Sequence, residues 1–350
     1  MTTGTHDIST LLATRYQSAA DYGQDKIAAV LAADVAAHNA IMMEMVSDIC
    51  EVTTDRQRRY GTSISGEMVE VDEYGRAQTQ VAKPGATVGF PLRLNQFAIG
   101  WTEKWMQTHT PADMAIATQN AQKAHMRAVV RDIKRALYGA TNYTFYDHLV
   151  DNVELAVKRL VNADSANIPD GPNGETFDGS THTHYNANAT LTAAALQANV
   201  EDVIEHGHGS MVRLAIARAD ETAVRALSGF TAYPDPRIIY RATDTPGQTV
   251  DISRLDNRAI GIFNGAEVWV KPWAIASYHF AWDAGATDKP LAFRQRESTA
   301  LQGLRIAATL NTYPLVAQYM EVEYGIGVWT RTNGAILYSA SGTWADPTIS

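Results

Sequence analysis

Cysteine is all but missing. Cys50 stands alone in 350 residues, so an intramolecular disulfide is impossible and a zinc module built on several cysteines is excluded. Positive charge is in deficit too. Lys and Arg total 29 against 38 Asp and Glu, a formal net charge of −9. That excludes a globally basic nucleic-acid binder and leaves room for a locally basic face. Charged residues make up 19% of the chain, below the roughly 25% of an average soluble protein. No run of about 18 apolar residues stands out, so no membrane-crossing helix is expected. The opening residues MTTGTHDIST lack the basic and apolar stretches of a secretory signal. The nucleotide and hydrolase signatures G-x-x-x-x-G-K-[ST], G-x-S-x-G and H-E-x-x-H are absent. Gly325 and Gly327 start a G-x-G, but strand residues and Arg331 follow rather than a helix, which is no dinucleotide fingerprint. There is no repeat of fixed period and no low-complexity tract. The expectation is an acidic, soluble chain of about two domains' length, independent of an oxidising compartment.

What is present is an apolar share of 45%, enough for a sizeable core, distributed in recognisable elements. Ile27, Val30, Leu31, Val35, His38, Ile41, Met42, Met45, Val46 and Ile49 recur at three- and four-residue steps and predict a helix over 24–50. Lying so near one end, this helix folds back on the body or packs on another subunit. Over 110–139, Thr110 is an N-cap, Pro111 fits the first helical position and Asp113 places negative charge at the helix start. Met126, Val129, Val130, Ile133 and Leu137 form one stripe, and Gly139 ends it. Such a helix is on the order of 40 Å long, the dimension of a structural spine. A further short helical segment is expected over 143–161. A loop rich in Gly, Pro, Asn and Asp follows and marks a domain boundary. Beyond it come a helix over 190–206, a buried strand in MVRLAIAR, and a helix capped by Asp220 and closed by Gly229. A hairpin turns at Asn264-Gly265, and another is expected at Asn333-Gly334.

Residues 61–94 alternate polar and apolar side chains between glycines and predict two strands joined by a long turn region. A two-stranded arm of this kind is marginal alone in water, so it docks on something else, a neighbouring chain being a good candidate. Just before it, Arg56, Arg58 and Arg59 form a basic cluster. Its bland reading is a solvated face; its sharper reading is an inter-subunit or phosphate contact.

The histidines are the first candidates for chemistry. His182 and His184 form one H-x-H and His206 and His208 another, with Glu201 and Glu205 beside the second. Such pairs can chelate a metal from one strand face. Both pairs sit in loop-like surroundings, so loop histidines and helix-end capping are the ordinary reading. Cys50, at the end of an apolar stripe, reads as a core residue rather than a nucleophile. The carboxylate pairs Asp72/Glu73 and Glu321/Glu323 lie in contexts that do not distinguish catalysis from a solvated strand face. The chain has seven Trp; Trp101, Trp105, Trp269, Trp273, Trp282 and Trp329 suit core packing or interface anchoring. No catalytic, cofactor or metal site is assigned, and the chain is expected not to be an enzyme.

A helix near one end, an extended β arm and a long spine helix follow one another, and the terminal stretch carries Gly325, Gly327, Val328, Arg331, Asn333, Gly334, Ile336 and Leu337. This order resembles the major capsid proteins of tailed double-stranded DNA bacteriophages. GIFNGAEVWV resembles their axial hairpin, and ETFDGSTHTHYN resembles segments in capsid proteins of phages infecting actinobacteria. The resemblance implies the α+β, HK-ninety-seven-like capsid fold. It divides the chain into an N-terminal arm at 1–55, an extended loop at 56–95, a peripheral domain at 96–164, an axial domain at 165–295 and a peripheral return at 296–350. It implies a virion shell protein that assembles with itself into hexamers and pentamers around packaged double-stranded DNA, contacted non-specifically. A portal and a separate scaffolding protein are implied partners, and no membrane. Candidate inter-subunit contacts are Arg56, Arg58, Arg59, Glu67, Glu70, Asp72, Glu73, Arg76 and Lys83. Some members cross-link a loop lysine to an asparagine, and here Lys83 and Asn333 would be the pair. The alternatives are an encapsulin-like compartment of the same fold, a metal-dependent enzyme using the H-x-H pairs, and a tail or other structural virion protein.

Overall fold

Strand β15 (Leu315–Val328) is the axis of one half of the molecule. It pairs antiparallel with β4 (Arg93–Thr102), β13 (Leu291–Gln295) and β14 (Arg305–Thr312), and β1 (Cys50–Thr53) joins β13 in parallel. This computed structural model describes residues 17–62, 68–81, 84–233 and 257–349. A second, seven-stranded sheet runs in the order β7-β16-β12-β8-β11-β10-β9. Its strands are β7 (Tyr185–Ala187), β8 (Val212–Ile216), β9 (Phe230–Ala232), β10 (Arg258–Phe263), β11 (Ala266–Val270), β12 (Tyr278–Asp283) and β16 (Ala335–Tyr338). Two short antiparallel pairs complete the strands: β2 (Gln57–Tyr60) with β3 (Ala86–Gly89), and β5 (Tyr143–Tyr146) with β6 (Glu154–Val157). The helices are α1 (Ala19–Tyr22), α2 (Gln24–Val46), α3 (Glu103–Thr108), α4 (Pro111–Tyr138), α5 (Ala193–Ile204) and α6 (Glu221–Arg225).

The spine helix α4 starts as expected. The Asp113 carboxylate accepts from the Thr110 backbone N–H at 2.9 Å and from its hydroxyl at 3.0 Å, which satisfies a donor left open by the helix start. Its buried face is His125, Val129, Ile133, Ala136 and Leu137, while Met126 points outward. This face joins Val46 of α2 with Phe280 and Trp282 of one sheet and Phe293 and Tyr324 of the other in a single core. A second core lies under α5, where Leu196, Val200 and Val203 meet Leu214, Ile216, Val268 and Leu337.

Helix α2 folds back on its own chain. Ile27, Leu31, Val35, Met42 and Val46 are buried, and the His38 and His125 rings meet at 3.1 Å across the α2–α4 contact. By length and composition, Lys26–Val46 is apolar enough to cross a membrane, contrary to the expectation that no such segment exists. The alanines interleaved with its larger side chains hide that total from a search for an unbroken apolar run. Core helices of water-soluble proteins pass the same test, and this one has a buried stripe.

Four further expectations are corrected. Residues 143–161 are not helical. Alternate side chains in β6 are buried, with Leu155 and Val157 inside and Glu154 and Ala156 outside, which is the strand period. Asn333-Gly334 is not a hairpin turn, because β15 and β16 belong to different sheets. Asp220 does not cap α6 with its side chain; its Oδ2 accepts the Ser277 N–H at 2.9 Å. The helix expected over 24–50 ends at Val46, and Cys50 starts β1. β13 at 291–295 sits in the β15 sheet, and β16 at 335–338 returns to the seven-stranded sheet. By contrast, Asn264 and Gly265, with φ of 44° and 94°, make the expected tight turn between β10 and β11.

Two polar groups have measurable consequences for stability. On β13, Arg294 donates to Asp147 Oδ2 and to the Phe90 carbonyl, both at 2.8 Å, and both charged side chains are shut away from water. Arg294→Ala leaves the carboxylate buried without its counter-charge, and a loss of about 3–5 kcal/mol is expected. Urea denaturation measures it, and a loss below about 1 kcal/mol would show that the pair is not the anchor its burial implies. On α5, burial raises the Asp202 carboxyl from 3.8 to about 7, against the hydrogen bond from Asn186, with Glu205 and Glu201 adding to the rise. The folded chain keeps this proton up to about pH 7 while the unfolded chain releases it near 3.8. The group's contribution is therefore lost as pH climbs through that window. Asp202→Asn is expected to flatten the decline and to raise the urea midpoint above neutrality, with little gain in acid. An unchanged pH slope would refute it.

Candidate assembly surfaces

The base of the extended loop is held by four β2–β3 pairs, from Gln57 opposite Gly89 to Tyr60 opposite Ala86. Beyond them, the described residues 68–81 form no strand, only a turn in which Asp72 accepts the Tyr74 N–H through its side chain and the Gly75 N–H through its carbonyl, both at 3.0 Å. Of the two strands expected within 61–94, the second is present as β3, but its partner β2 lies before that range at Gln57–Tyr60, and the alternation of Met68, Val69 and Val71 is not used for pairing. Met68, Val69, Val71, Tyr74 and Val81 are all exposed, Tyr74 and Val81 at 88%. Exposed apolar side chains gathered in one segment are what a contact surface can use.

Among the candidate contact residues, Glu70, Asp72, Glu73 and Arg76 are exposed along this loop. Glu67 and Lys83 lie outside the described residues. The arginine cluster is split. Arg56 pairs with Asp151 at 2.5 Å, and Arg58 pairs with Asp55 at 2.6 Å and Glu51 at 2.8 Å while its guanidinium lies 4.9 Å from the Trp329 ring centre. Of the three, Arg59 alone is exposed. Two of the three cations thus already have partners within this chain. Asn333, the conceivable cross-link partner, is fully buried. Its Oδ1 accepts the Asp283 N–H at 2.8 Å and its Nδ2 donates to the Asp288 carbonyl at 2.8 Å. It is part of the turn's framework, not an accessible acceptor.

Two further surfaces are exposed. Strand β14 ends the order of its sheet, and every side chain from Ala308 to Thr312 is exposed. With Leu310, Tyr313 and Leu315 it offers a long apolar-edged ribbon, the kind of edge another chain can extend. The second surface is basic. Lys123, Arg127, Arg131 and Arg135 recur at four-residue steps on α4, so they share one face. Lys123, Arg127 and Arg135 are exposed, and Asp132 offsets part of the charge at Arg131 and Arg135. The four-residue step was the signal that could have revealed it; the search for an apolar stripe masked it.

The histidines are placed unexpectedly. His182, His184 and His206 meet, their Nε2 atoms separated by 3.1–3.2 Å, while His208 turns away to Thr332. Loop histidines in solvent they are not: the His184 and His206 side chains are almost wholly enclosed. Burial, with His182 and His208 adding to it, pushes His206 down to about 3, and burial with His206 beside it holds His184 well below the usual histidine range. The tryptophans mostly pack inward, with Trp101, Trp273 and Trp282 buried and Trp105, Trp269 and Trp329 half-buried.

No family model and no curated protein matches the sequence. Solved structures do match the fold. A chain from Mycobacterium phage Patience superposes with a TM-score of 0.70 at 21% identity, covering 89% of this chain and 87% of that one. Capsid chains of the empty and native GTA particles superpose with TM-scores of 0.50 at 13% and 14% identity, each covering 84% of this chain and 89% of that one. The fold is therefore the α+β, HK-ninety-seven-like capsid fold over nearly the whole chain.

Proposed function

We propose that this chain is the major capsid protein of a tailed double-stranded DNA phage of actinobacteria, a shell subunit that assembles with itself into hexamers and pentamers. The observation that carries the reading is the end-to-end likeness of fold to the Mycobacterium phage chain, with the parts in one order. The exposed loop supports it, because its apolar side chains have no cover in a single subunit. So does the exposed β14 edge. The basic face of α4 suits non-specific contact with packaged DNA, which needs phosphate neutralisation and no base readout. A portal and a separate scaffolding protein are the further partners this reading calls for, and the virion shell is its location. No reaction is assigned to the chain.

Negative-stain electron microscopy of the purified protein, with and without nuclease, tests the reading. Closed icosahedral shells or capsomer rings are expected. A monodisperse monomer or dimer of the 38.2 kDa chain, without shells even beside a scaffolding protein, would overturn it. Shells holding a protein cargo and no nucleic acid would instead favour an encapsulin-like compartment, and open tubes a tail protein.

A further inference from the structure

The histidine cluster lies where the loop leading into β7 meets the end of α5. Its three Nε2 atoms form a nearly equilateral triangle: 3.2 Å from His182 to His184, and 3.1 Å from each of these to His206. Glu205 Oε1 stands 3.3 Å from the His182 nitrogen and 3.8 Å from the His206 nitrogen. We propose that His182, His184, His206 and Glu205 are the four ligands of one divalent transition-metal ion, zinc being the best fit, in a site that pins this loop to the seven-stranded sheet.

Hydrogen bonding alone does not account for the arrangement. His184 Nδ1 is 2.7 Å from the Gly334 carbonyl oxygen, which can only accept. The proton of neutral His184 is therefore on Nδ1, and its Nε2 presents a bare lone pair to the other two rings. Glu205 Oε1 is shielded from solvent and accepts no hydrogen bond, although it faces the same point. A lone pair, two further ring nitrogens and an orphaned carboxylate oxygen converge on a space with no donor to satisfy them all. A cation does satisfy them.

The spacing of the three nitrogens agrees, and Glu205 would close in on the ion by a small side-chain shift. Zinc–nitrogen bonds of about 2.0–2.1 Å in a tetrahedron put ligand nitrogens about 3.3–3.4 Å apart, a few tenths of an ångström wider than this triangle. An ion at that distance would stand roughly 1 Å off the plane of the three nitrogens. The donor set is selective: imidazoles favour zinc and its neighbours over magnesium or calcium, which prefer oxygen. The His184–Gly334 bond is the outer contact that metal-bound histidines usually make to fix ring and tautomer. The Phe177 ring, centred 4.1 Å from His206 and 4.9 Å from His182, walls the site on one side. The C-terminal end of α5 at Ile204 adds the negative end of a helix dipole.

Three histidines and a carboxylate fill a tetrahedron, so the site is of the closed, structural kind, with no corner kept for a substrate. The ion would join the residues just before β7 to the end of α5 and, through Gly334, to the start of β16. The loop before β7 is already joined to β16 by the Ile336 N–H donating to the His184 carbonyl at 2.8 Å; the ion would add the end of α5 to that junction.

The test uses the full chain without a polyhistidine tag, as subunits or as shells, so it stands apart from the question of assembly. Metal content after dialysis is measured by mass spectrometry of the elements. About one zinc per chain is expected. Chelation should lower the melting midpoint, and added zinc should restore it. Cobalt(II) added to the stripped protein should give the intense visible band of a tetrahedral site. His206→Ala and His182→Ala should lose the ion, whereas His208→Ala, altered in the same segment but at a side chain aimed at Thr332, should keep it. No stoichiometric metal and no cobalt band in the unaltered chain would overturn the proposal, and needs no variant to fold. Equal loss in His208→Ala would overturn this ligand set.

Discussion

Replacing residues 68–81 by a short Gly/Ser link yields a folded chain that no longer closes into shells. The segment contributes no strand and no buried apolar side chain to its own subunit, so its removal leaves both cores untouched. Surface changes of this kind alter stability by about 0.5 kcal/mol or less. Assembly is another matter. Met68, Val69, Val71, Tyr74 and Val81 are exposed in the single chain. Covering each one fully on a neighbour would contribute on the order of 1.5–3 kcal/mol, less the cost of ordering the loop. A quadruple serine variant at Val69, Val71, Tyr74 and Val81 should show the same separation more gently: an unchanged urea midpoint, with sedimentation shifted from shells to free capsomers. Shells of normal yield from the excised chain would show that the loop is not the link between subunits.

The second large effect falls on the backbone. Gly325→Ala is expected to abolish soluble expression or to cost more than about 4 kcal/mol. A Cβ at Gly325 would lie 1.2 Å from the Pro91 carbonyl oxygen and 2.4 Å from its carbon. Both are main-chain atoms and cannot swing aside. The chain at 90–92 crosses β15 here, and its position is held by the Phe90 N–H bonded to the Arg56 carbonyl at 2.9 Å and by Arg294 bonded to the Phe90 carbonyl. Moving it would also disturb the base of the extended loop. Gly327→Ala offers the comparison. Its Cβ would meet the buried Phe90 ring at 2.9 Å and the Gly89 carbonyl oxygen at 3.2 Å, far milder overlaps than at Gly325, so a loss of about 1–3 kcal/mol is expected. Soluble yield and urea midpoints measure both. A soluble Gly325→Ala chain of parental stability would refute the crossing as drawn.

These two glycines also show how the resemblance worked. The terminal stretch around Gly325, Gly327, Arg331, Asn333 and Gly334 suggested the capsid fold, and the structure gives its residues physical reasons. The glycines let two backbones cross. Arg331 is buried, donating to the carbonyls of Arg159 at 2.7 Å and Leu160 at 3.3 Å and pairing with Asp164 at 3.0 Å. Asn333 braces the turn. The pattern was visible, but its meaning as a crossover between sheets was not, because a glycine-flanked strand followed by Asn-Gly reads locally as a hairpin.

The contact surfaces were legible in part. The loop announced itself by polarity and glycine content, whereas the pairing of Arg56 and Arg58 depended on Asp151, Asp55 and Glu51 arriving beside them. Asp151 is distant in sequence, and no spacing rule reaches it. The β14 edge was invisible because edge and centre strands differ by their neighbours, not by their residues. The histidine cluster is the sharpest case. His182 and His206 are 24 positions apart and belong to two separate H-x-H motifs. The structure takes both members of the first motif and only one of the second.

By itself the sequence determined the local features: the spine helix with its Thr110–Asp113 start, the α2 stripe, the tight turn at Asn264-Gly265 and a loop too polar to bury itself. Each follows from contacts within a few residues, where side-chain period, capping chemistry and left-handed turn geometry decide the outcome. Tertiary structure alone decided which sheet takes β13 and β16, that Tyr143–Tyr146 and Glu154–Val157 pair as strands, and that three histidines face one point. Those outcomes rest on partners far along the chain, and a strand, a buried arginine or a ligand nitrogen acquires its role only when folding brings that partner within reach.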